Sequence, residues 1–184
     1  MQCVHGVQRR RSLYPYFALP AAMLRLRQPS PHDTVTVLLR RLSRQHHLAE
    51  NRNSFLTRVP ASDGPPEASL PNRVRAARAA FELVDELDEQ QQLTESDKEI
   101  LMFWLLAHST LELRDAMHAF GVVQRDTATR ITAAALHLPD YLVELAYAEQ
   151  GNLQRAGLLI VRGTAGTLFE VIQLNENLVA RVQQ

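Results

Sequence analysis

Apolar residues recur every three or four positions through much of the chain after residue 72, which is the spacing of helices with one buried side. The first such stretch covers residues 73–92, where the acidic residues lie mostly off the apolar stripe and are interpreted as a solvated face. An amphipathic helix is therefore predicted there, with a stripe made of Val74, Ala77, Phe81, Val84 and Leu87.

Two capping-box patterns predict where the next helices begin. Ser96 with Glu99 opens the strongly apolar segment "DKEILMFWLLAHS", which we predict to be the central core helix, with Phe103 and Trp104 buried in it. Ser109 with Glu112 opens "TLELRDAMHAF", a helix that Gly121 should end as a C-terminal cap.

The helical pattern continues to residue 151. A helix is predicted from about Gln124 to Leu138, stopped by Pro139. Asp140 should cap the following helix, "YLVELAYAEQ", which Gly151 should end.

The last 30 residues allow two interpretations. The segments "LLIV" and "LFEVIQL", separated by "RGTAGT", fit two strands around a turn. Residues 168–182 also fit helical spacing, with apolar positions at Leu168, Val171 or Ile172, Leu178 and Val182. The predicted fold class is mainly α, a compact bundle of short helices with a winged-helix-like C-terminal hairpin.

Composition and length predict one compact domain with tails. Residues 1–57 form an Arg-rich, acid-poor leader, expected to be largely disordered, with one short amphipathic helix on Val35, Leu38 or Leu39, and Leu42. Two alternatives remain for the first residues of this leader. They form a targeting peptide, or translation in the cell begins later than Met1, with Met23 as the candidate start. Residues 58–72 contain four Pro and are predicted to form a linker. Residues 73–184 are predicted to form the helical, winged-helix-like domain.

Charge is distributed unevenly along the chain. Residues 1–75 hold 12 Arg and 4 acidic residues, whereas residues 76–184 hold 8 Lys or Arg and 16 acidic residues. An acidic domain is poorly suited to lie along phosphates, so a protein partner is favoured over nucleic acid. No apolar run is long enough to span a bilayer, and the lone Cys3 favours a reducing compartment, so a cytoplasmic location without membrane contact is expected.

The sequence offers no catalytic constellation, and we expect no catalytic residue, no cofactor and no metal site. The "RGTAGT" turn lacks the Lys that a phosphate-binding loop requires. The histidines are adjacent, as in His46 and His47, or lie in separate segments, as in His108, His118 and His137. Ligands for a metal ion would have to converge, so these are interpreted as surface or interfacial residues.

A DNA-binding helix-turn-helix is the alternative hypothesis. The second helix of such a motif presents its N-terminal residues to base edges. Ala128 and Ile131 would face inward, while Asp126, at the helix tip, disfavours DNA. In a winged helix-turn-helix regulator the contacts would come from Gln124, Arg125, Thr129 and Arg130, with Arg162 in the wing.

The run "HLPDYLVELAYAEQGNLQRAGLLIVRGTAGTLFEVIQLNENLVARV", residues 137–182, resembles the end of the N-terminal region of certain bacterial AAA+ ATPases. The similarity extends over residues 80–182 and includes the segments "LTESDKEILMFWLLAHS" and "ELRDAMHAFG". It implies a non-catalytic accessory domain that recognises protein partners, with ATP binding and hydrolysis in a separate ATPase module, in cis or in trans. The resemblance carries no catalytic residue onto this chain.

Overall fold

The computed structural model describes residues 31–49 and 70–183. These residues form nine α-helices and one two-stranded sheet, with a short 3-10 turn at His46–Leu48. The helices are α1 (Pro31–Ser43), α2 (Leu70–Gln91), α3 (Glu95–Ser109), α4 (Leu111–His118), α5 (Arg125–Leu136), α6 (Asp140–Ala146), α7 (Asn152–Arg155), α8 (Leu168–Val171) and α9 (Glu176–Gln183), and the strands are β1 (Leu159–Val161) and β2 (Ile172–Leu174). The predicted class, a mainly α compact fold, is confirmed.

Helix α3 is the central core helix, as predicted. Every residue from Ile100 to Ala107 is buried, and Phe103 and Trp104 have no exposed surface. A helix that is apolar on all sides can be stable only when neighbours cover it all round. Helices α2, α4, α6 and α9 provide this cover, so the burial of Phe103 and Trp104 is confirmed.

The predicted capping box of α3 is wrong by two residues. The cap is formed by Thr94 and Asp97, whose side chains each accept a hydrogen bond from the other's backbone N–H. Ser96 and Glu99 therefore lie inside the helix. The sequence "TESD" satisfies the same local pattern, and the buried position of Asp97 favours it.

The second predicted capping box, Ser109 with Glu112, is also wrong. Ser109 closes α3, because its hydroxyl donates to the carbonyl oxygen of Leu105 at 2.6 Å. Thr110 is the N-cap of α4, but its side chain makes no hydrogen bond to that helix. Its hydroxyl donates instead to the carbonyl oxygen of Leu106 in α3, at 2.8 Å. Helix α4 ends at His118 with Ala119 as its C-cap, so the prediction that Gly121 is the cap is wrong, although Gly121 follows two residues later with a left-handed φ of 76°.

Helix α2 begins at Leu70, before the predicted start at residue 73. Ala77, Val84 and Leu87 are buried as predicted, whereas Phe81 is exposed and its predicted burial is wrong. The buried face also includes Ala76, Ala80 and Leu83, because α2 packs against α1, α3 and α9.

The amphipathic helix predicted in the leader is present as α1. It buries Val35, Leu38 and Leu42 against α2, α4 and α5, and Arg41 Nη1 donates to the carbonyl oxygen of Ala135 in α5 at 2.9 Å. The core therefore includes a segment that precedes the Pro-rich stretch. The predictions for residues 1–30 and 50–69, including disorder and most of the linker, lie outside the described residues.

The boundaries of the later helices differ from those predicted. Helix α5 ends at Leu136, where His137 takes a left-handed φ of 58°. Asp140 is the first residue of α6 and not its cap, which is Pro139. Gly151 does not end α6 but is the N-cap of α7, because α6 stops earlier, at Ala146.

The C-terminal segment contains both of the structures that the sequence allowed. Strands β1 and β2 pair antiparallel, with Leu159 opposite Leu174 and Val161 opposite Ile172. The residues "LFEV" form α8 directly before β2, and α9 follows it. The likeness of this hairpin to the wing of a winged helix stays a prediction.

Candidate functional site: a groove beside helix α6

A solvent-facing groove of about 310 Å³ lies where the start of α3 meets α6 and the turn that follows it. We call it the α6 groove. Thr94, Ser96 and Asp97 line one side. The other side is formed by Leu142, Leu145 and Ala146 together with residues 148 and 150–152.

The polar side of the α6 groove is internally satisfied. Asp97 is 4% exposed, and its Oδ2 accepts hydrogen bonds from the Thr94 hydroxyl at 2.7 Å and from Asn152 Nδ2 at 3.0 Å. The backbone N–H of Thr94 donates to the same oxygen at 3.0 Å. A carboxylate with three donors is held in place, so Asp97 joins α7 to α3 and is poorly placed to act as a base or a ligand.

The apolar side of the α6 groove includes the exposed Leu145, and the exposed Tyr141 lies near it on the same helix without lining the groove. Tyr141 and Leu145 stand one helical turn apart on α6, with 54% and 62% of their surface exposed. Residues four positions apart share a helix face, so the two side chains form one apolar strip. Val143 and Ala146, which are buried in the core, anchor α6 to the domain.

Three carboxylates accompany this strip: Asp140 and Glu144 on α6 and Glu149 in the turn after it. All three are exposed, and we call them the acidic rim. Within residues 31–49 and 70–183, the ion pairs join other residues, such as Lys98 with Asp88 and Arg181 with Glu86. The rim thus places negative charge on α6, next to Tyr141 and Leu145 in the sequence, and in the turn after it, a combination that attracts a basic partner.

The end of α6 is fixed by a buried network around Tyr147. Trp104 Nε1 donates to the Tyr147 hydroxyl at 2.7 Å, and Thr132 Oγ1 lies 2.9 Å from that hydroxyl. Burial raises the pKa of Tyr147 well above its usual range, so the phenol stays protonated. The network ties α3, α5 and α6 together and holds the exposed strip on a rigid support.

The carbonyl oxygen of Tyr147 is a second junction. It accepts from Arg125 Nη2 at 2.8 Å and from Gln154 Nε2 at 2.7 Å. The side-chain oxygen of Gln154 in turn accepts from the backbone N–H of Val161 in β1 at 3.3 Å. A single glutamine therefore links the end of α6 to the hairpin.

The residues predicted to contact DNA do not form one exposed set. Gln124 and Arg130 are exposed at α5 and Arg162 is exposed after β1. Arg125 is half-buried, engaged with Tyr147. The predicted exposure of Thr129 is wrong, because it is 4% exposed and its hydroxyl donates to the carbonyl oxygen of Arg125.

The inward orientation predicted for Ala128 and Ile131 is confirmed. Thr132 is also buried, so the buried side of α5 is wider than the helix-turn-helix interpretation assumed. A wider buried side leaves fewer positions at the start of α5 for contact with a ligand.

Two of the histidines from separate segments meet at one aromatic side chain. The rings of His108 and His118 lie 4.6 Å and 5.0 Å from that of Phe169. Burial, with a smaller contribution from Arg114, lowers the pKa of His108 to about 4, so this side chain is neutral at pH 7. In the part of the chain that the structure describes, no three His, Cys, Asp or Glu residues are placed to hold a metal ion.

Tyr141 and Leu145 are the candidate binding residues that sequence reasoning missed. The segment "DYLVELAY" is apolar at six of eight positions, more than one buried helix face can accommodate. This excess of apolar residues is the feature of the sequence that indicates an exposed apolar surface on the helix. Which of the six stay exposed depends on where α3 and α5 pack, which local spacing does not contain.

No protein-family model, no curated protein and no solved structure matches the chain. The similarity to the AAA+ accessory region therefore rests on the residues quoted for it. Among the described helices, none combines the length and the apolar composition needed to cross a membrane.

Proposed function

We propose that the chain is a non-catalytic domain that recognises a protein partner through the α6 groove. The observation that carries this proposal is the exposed apolar strip of Tyr141 and Leu145. Exposed aromatic and aliphatic side chains beside a groove, on a rigid support, are typical anchors of protein interfaces.

The partner proposed from the sequence resemblance is an ATPase module of the AAA+ class, in cis or in trans. ATP binding and hydrolysis would belong to that module, and this chain would position or recruit it. We place this activity in the cytoplasm, in keeping with the single cysteine in the sequence. The proposal requires no cofactor in this chain.

The acidic rim supports a protein partner with a basic contact surface. Rim charges mainly raise the rate of encounter and select the partner, while the apolar anchors supply most of the affinity. We therefore expect substitutions at Tyr141 and Leu145 to affect dissociation, and charge changes at Glu144 and Glu149 to affect association and its salt dependence.

The test is pairwise binding between the purified chain and each AAA+ ATPase encoded in the genome from which the chain comes. Replacing both anchors, Tyr141→Ser and Leu145→Ser, should weaken binding at least about 10-fold, since buried anchor residues contribute about 2 kcal/mol or more. Ile160→Ser is the matched control, because Ile160 is an exposed apolar residue of the hairpin that does not line the α6 groove. Binding unchanged by the double substitution would contradict the site.

A second measurement addresses the non-catalytic part of the proposal. Calorimetric titration of the isolated chain with ATP and Mg²⁺ should show no binding. Stoichiometric ATP binding would make that part wrong, whatever the outcome for Tyr141 and Leu145.

The winged helix-turn-helix hypothesis remains a weaker proposal. Gln124, Arg130 and Arg162 are accessible for it, but Arg125 and Thr129 are engaged within the domain. No further contact of the described residues favours it.

A further inference from the structure

We propose that α1 is a detachable helix, which opens from the surface of α2, α4 and α5 while the rest of the domain stays folded, because two buried hydroxyls weaken its attachment. We call that surface the α1 seat. The opening of α1 is independent of the proposed function, since the α6 groove is lined by residues between 94 and 97 and between 142 and 152.

Helix α1 is held in its seat by one row of aliphatic side chains. Val35, Leu38 and Leu42 are buried against α2, α4 and α5, whereas Arg40 and Arg44 are exposed to solvent. The central helix α3 is instead buried on all sides from residue 100 to residue 107. Segments with fewer buried apolar contacts open at a lower free energy than the core. By this criterion, α1 is less strongly attached than α3.

The hydroxyl oxygens of Thr34 and Thr36 weaken this attachment further. Both are buried, and neither has a hydrogen-bond partner among the described residues. Elsewhere in the domain, the hydroxyls of Thr110 and Thr129 donate to the carbonyl oxygen four positions earlier. In the open state of α1, water would satisfy the hydroxyls of Thr34 and Thr36. Each one left unsatisfied therefore lowers the closing equilibrium by about fivefold or more.

The polar contact of α1 with α5 stabilises the closed state only in part. Arg41 donates a hydrogen bond to the carbonyl oxygen of Ala135, but burial of the guanidinium lowers the pKa of Arg41. A lowered pKa of a cationic group means that its charged form loses solvation in the closed state. Glu99 offsets part of this loss through its negative charge.

The order of the elements allows α1 to leave its seat alone. It is the first described helix, and α2 begins at Leu70, well after α1 ends at Ser43. Opening therefore breaks the packing of α1 without interrupting another described helix. It exposes the apolar surface of α2, α4 and α5 beneath α1, so the position of α1 controls whether another chain can reach that surface.

The first test is native-state hydrogen exchange of the full chain, followed by mass spectrometry. Amides of residues 38–43 should exchange at least about 100-fold faster, relative to an unfolded peptide, than those of residues 100–107. Their exchange should also respond less to low urea concentrations, because opening of one helix exposes less surface than unfolding of the domain. Equal protection and an equal urea dependence of the two segments would overturn the inference.

The second test removes the unsatisfied hydroxyls. Valine has nearly the shape of threonine and is also β-branched, so Thr34→Val with Thr36→Val should slow exchange of residues 38–43 at least about tenfold. Thr164→Val is the matched control, because Thr164 is exposed, and it should change that exchange by less than about threefold. Unchanged exchange in the double variant would show that the two hydroxyls do not weaken the attachment.

The third test holds α1 open. Val35→Asp with Leu42→Asp would place two charges in the α1 seat, where their burial is costly, so residues 38–43 should lose their protection. Residues 100–107 should remain protected at least about 100-fold, because the rest of the domain stays folded. Loss of protection in both segments would overturn the inference, since α1 would then be required for the fold. Neither outcome changes the prediction for partner binding at Tyr141 and Leu145.

Discussion

The indole Nε1 of Trp104 donates a 2.7 Å hydrogen bond to the hydroxyl of Tyr147, 43 positions later in the chain, with both side chains fully buried. This bond joins the central helix α3 to the end of α6. Replacing Tyr147 with Phe would leave the indole N–H without a partner in a site that water does not reach.

We therefore expect Tyr147→Phe to lower the free energy of unfolding by about 1–3 kcal/mol, the usual cost of an unsatisfied buried donor. The change in the free energy of unfolding is measured by urea denaturation, followed by the fluorescence of Trp104, the only tryptophan of the sequence. Tyr141→Phe is the control, because Tyr141 is exposed, and it should change stability by less than about 0.5 kcal/mol. A loss of equal size in both variants would argue against the buried bond.

The lowered pKa of His108 predicts that stability falls in mild acid. Between pH 6.5 and about 4 the unfolded chain binds a proton that the folded chain excludes, so the free energy of unfolding decreases as pH falls through this window. Above pH 6.5 the effect disappears, since His108 is neutral in both states. Allowing for partial exposure of the side chain, we expect a loss of about 2 kcal/mol.

His108→Gln isolates this contribution, because glutamine does not titrate in that range. Its unfolding free energy should depend less on pH between 6.5 and 4 than that of the original chain. Glu99 acts in the opposite direction, since burial raises its pKa, but it is present in both proteins and cancels in the comparison. Parallel pH profiles for the two proteins would contradict the assignment.

The cap of α3 can be tested against the one that the sequence pattern suggested. Asp97→Ala removes the acceptor of Thr94 and of Asn152, so it should cost about 1–3 kcal/mol. Ser96→Ala should cost less than about 0.5 kcal/mol, because Ser96 is not the cap. Thermal unfolding of the two variants compares them directly, and a larger loss in Ser96→Ala would reverse the assignment.

That contrast illustrates what the sequence could and could not predict. Periodicity correctly predicted the helices around Trp104 and the amphipathic helix on Val35 and Leu42, whereas it left the last 30 residues open between strands and a helix. The cap was wrong because Thr94 with Asp97 and Ser96 with Glu99 fit the same four-residue pattern. Asn152, which lies 55 positions away and bonds to Asp97, distinguishes them only in the folded structure.

The candidate site was harder to predict for the same physical reason. Exposure at Tyr141 and burial at Thr129 are set by which neighbouring helices cover each face of α5 and α6. A local pattern predicts that a helix is amphipathic, but where two or three neighbours cover it, the pattern does not predict which apolar residue remains outside.

Gly151 tests the close packing at the turn beside the α6 groove. A Cβ at this position would lie 2.5 Å from the carbonyl oxygen of Leu145 and 2.8 Å from that of Ala146. Gly151→Ala should therefore destabilise the domain by about 2 kcal/mol or more, because backbone atoms must move. Gly163→Ala is the matched control, since a Cβ there meets nothing within 4 Å, and chemical denaturation should show it to be near neutral.

The DNA-binding hypothesis makes a prediction that we expect to fail. If Arg130 reads a base edge and Arg162 contacts a phosphate from the wing, Arg130→Ala should weaken binding by about 1–3 kcal/mol, and Arg162→Ala should reduce the slope of log affinity against log salt concentration by about one. We expect any DNA binding of the full chain to keep its slope in both variants, because the domain's surface is acidic. A reduced slope measured by fluorescence anisotropy would support the DNA-binding hypothesis over a protein partner.

The hydrogen bond from Val161 to the side chain of Gln154 also affects how the sheet meets other chains. In the β1 and β2 pair it is the N–H of Arg162 that donates across to Val171, so the N–H of Val161 points to the outer edge. An unpaired strand edge is a template on which another chain can add a strand. Gln154 occupies that donor, and with only three residues in β1 little edge remains open. The hairpin is thereby protected against strand addition and aggregation.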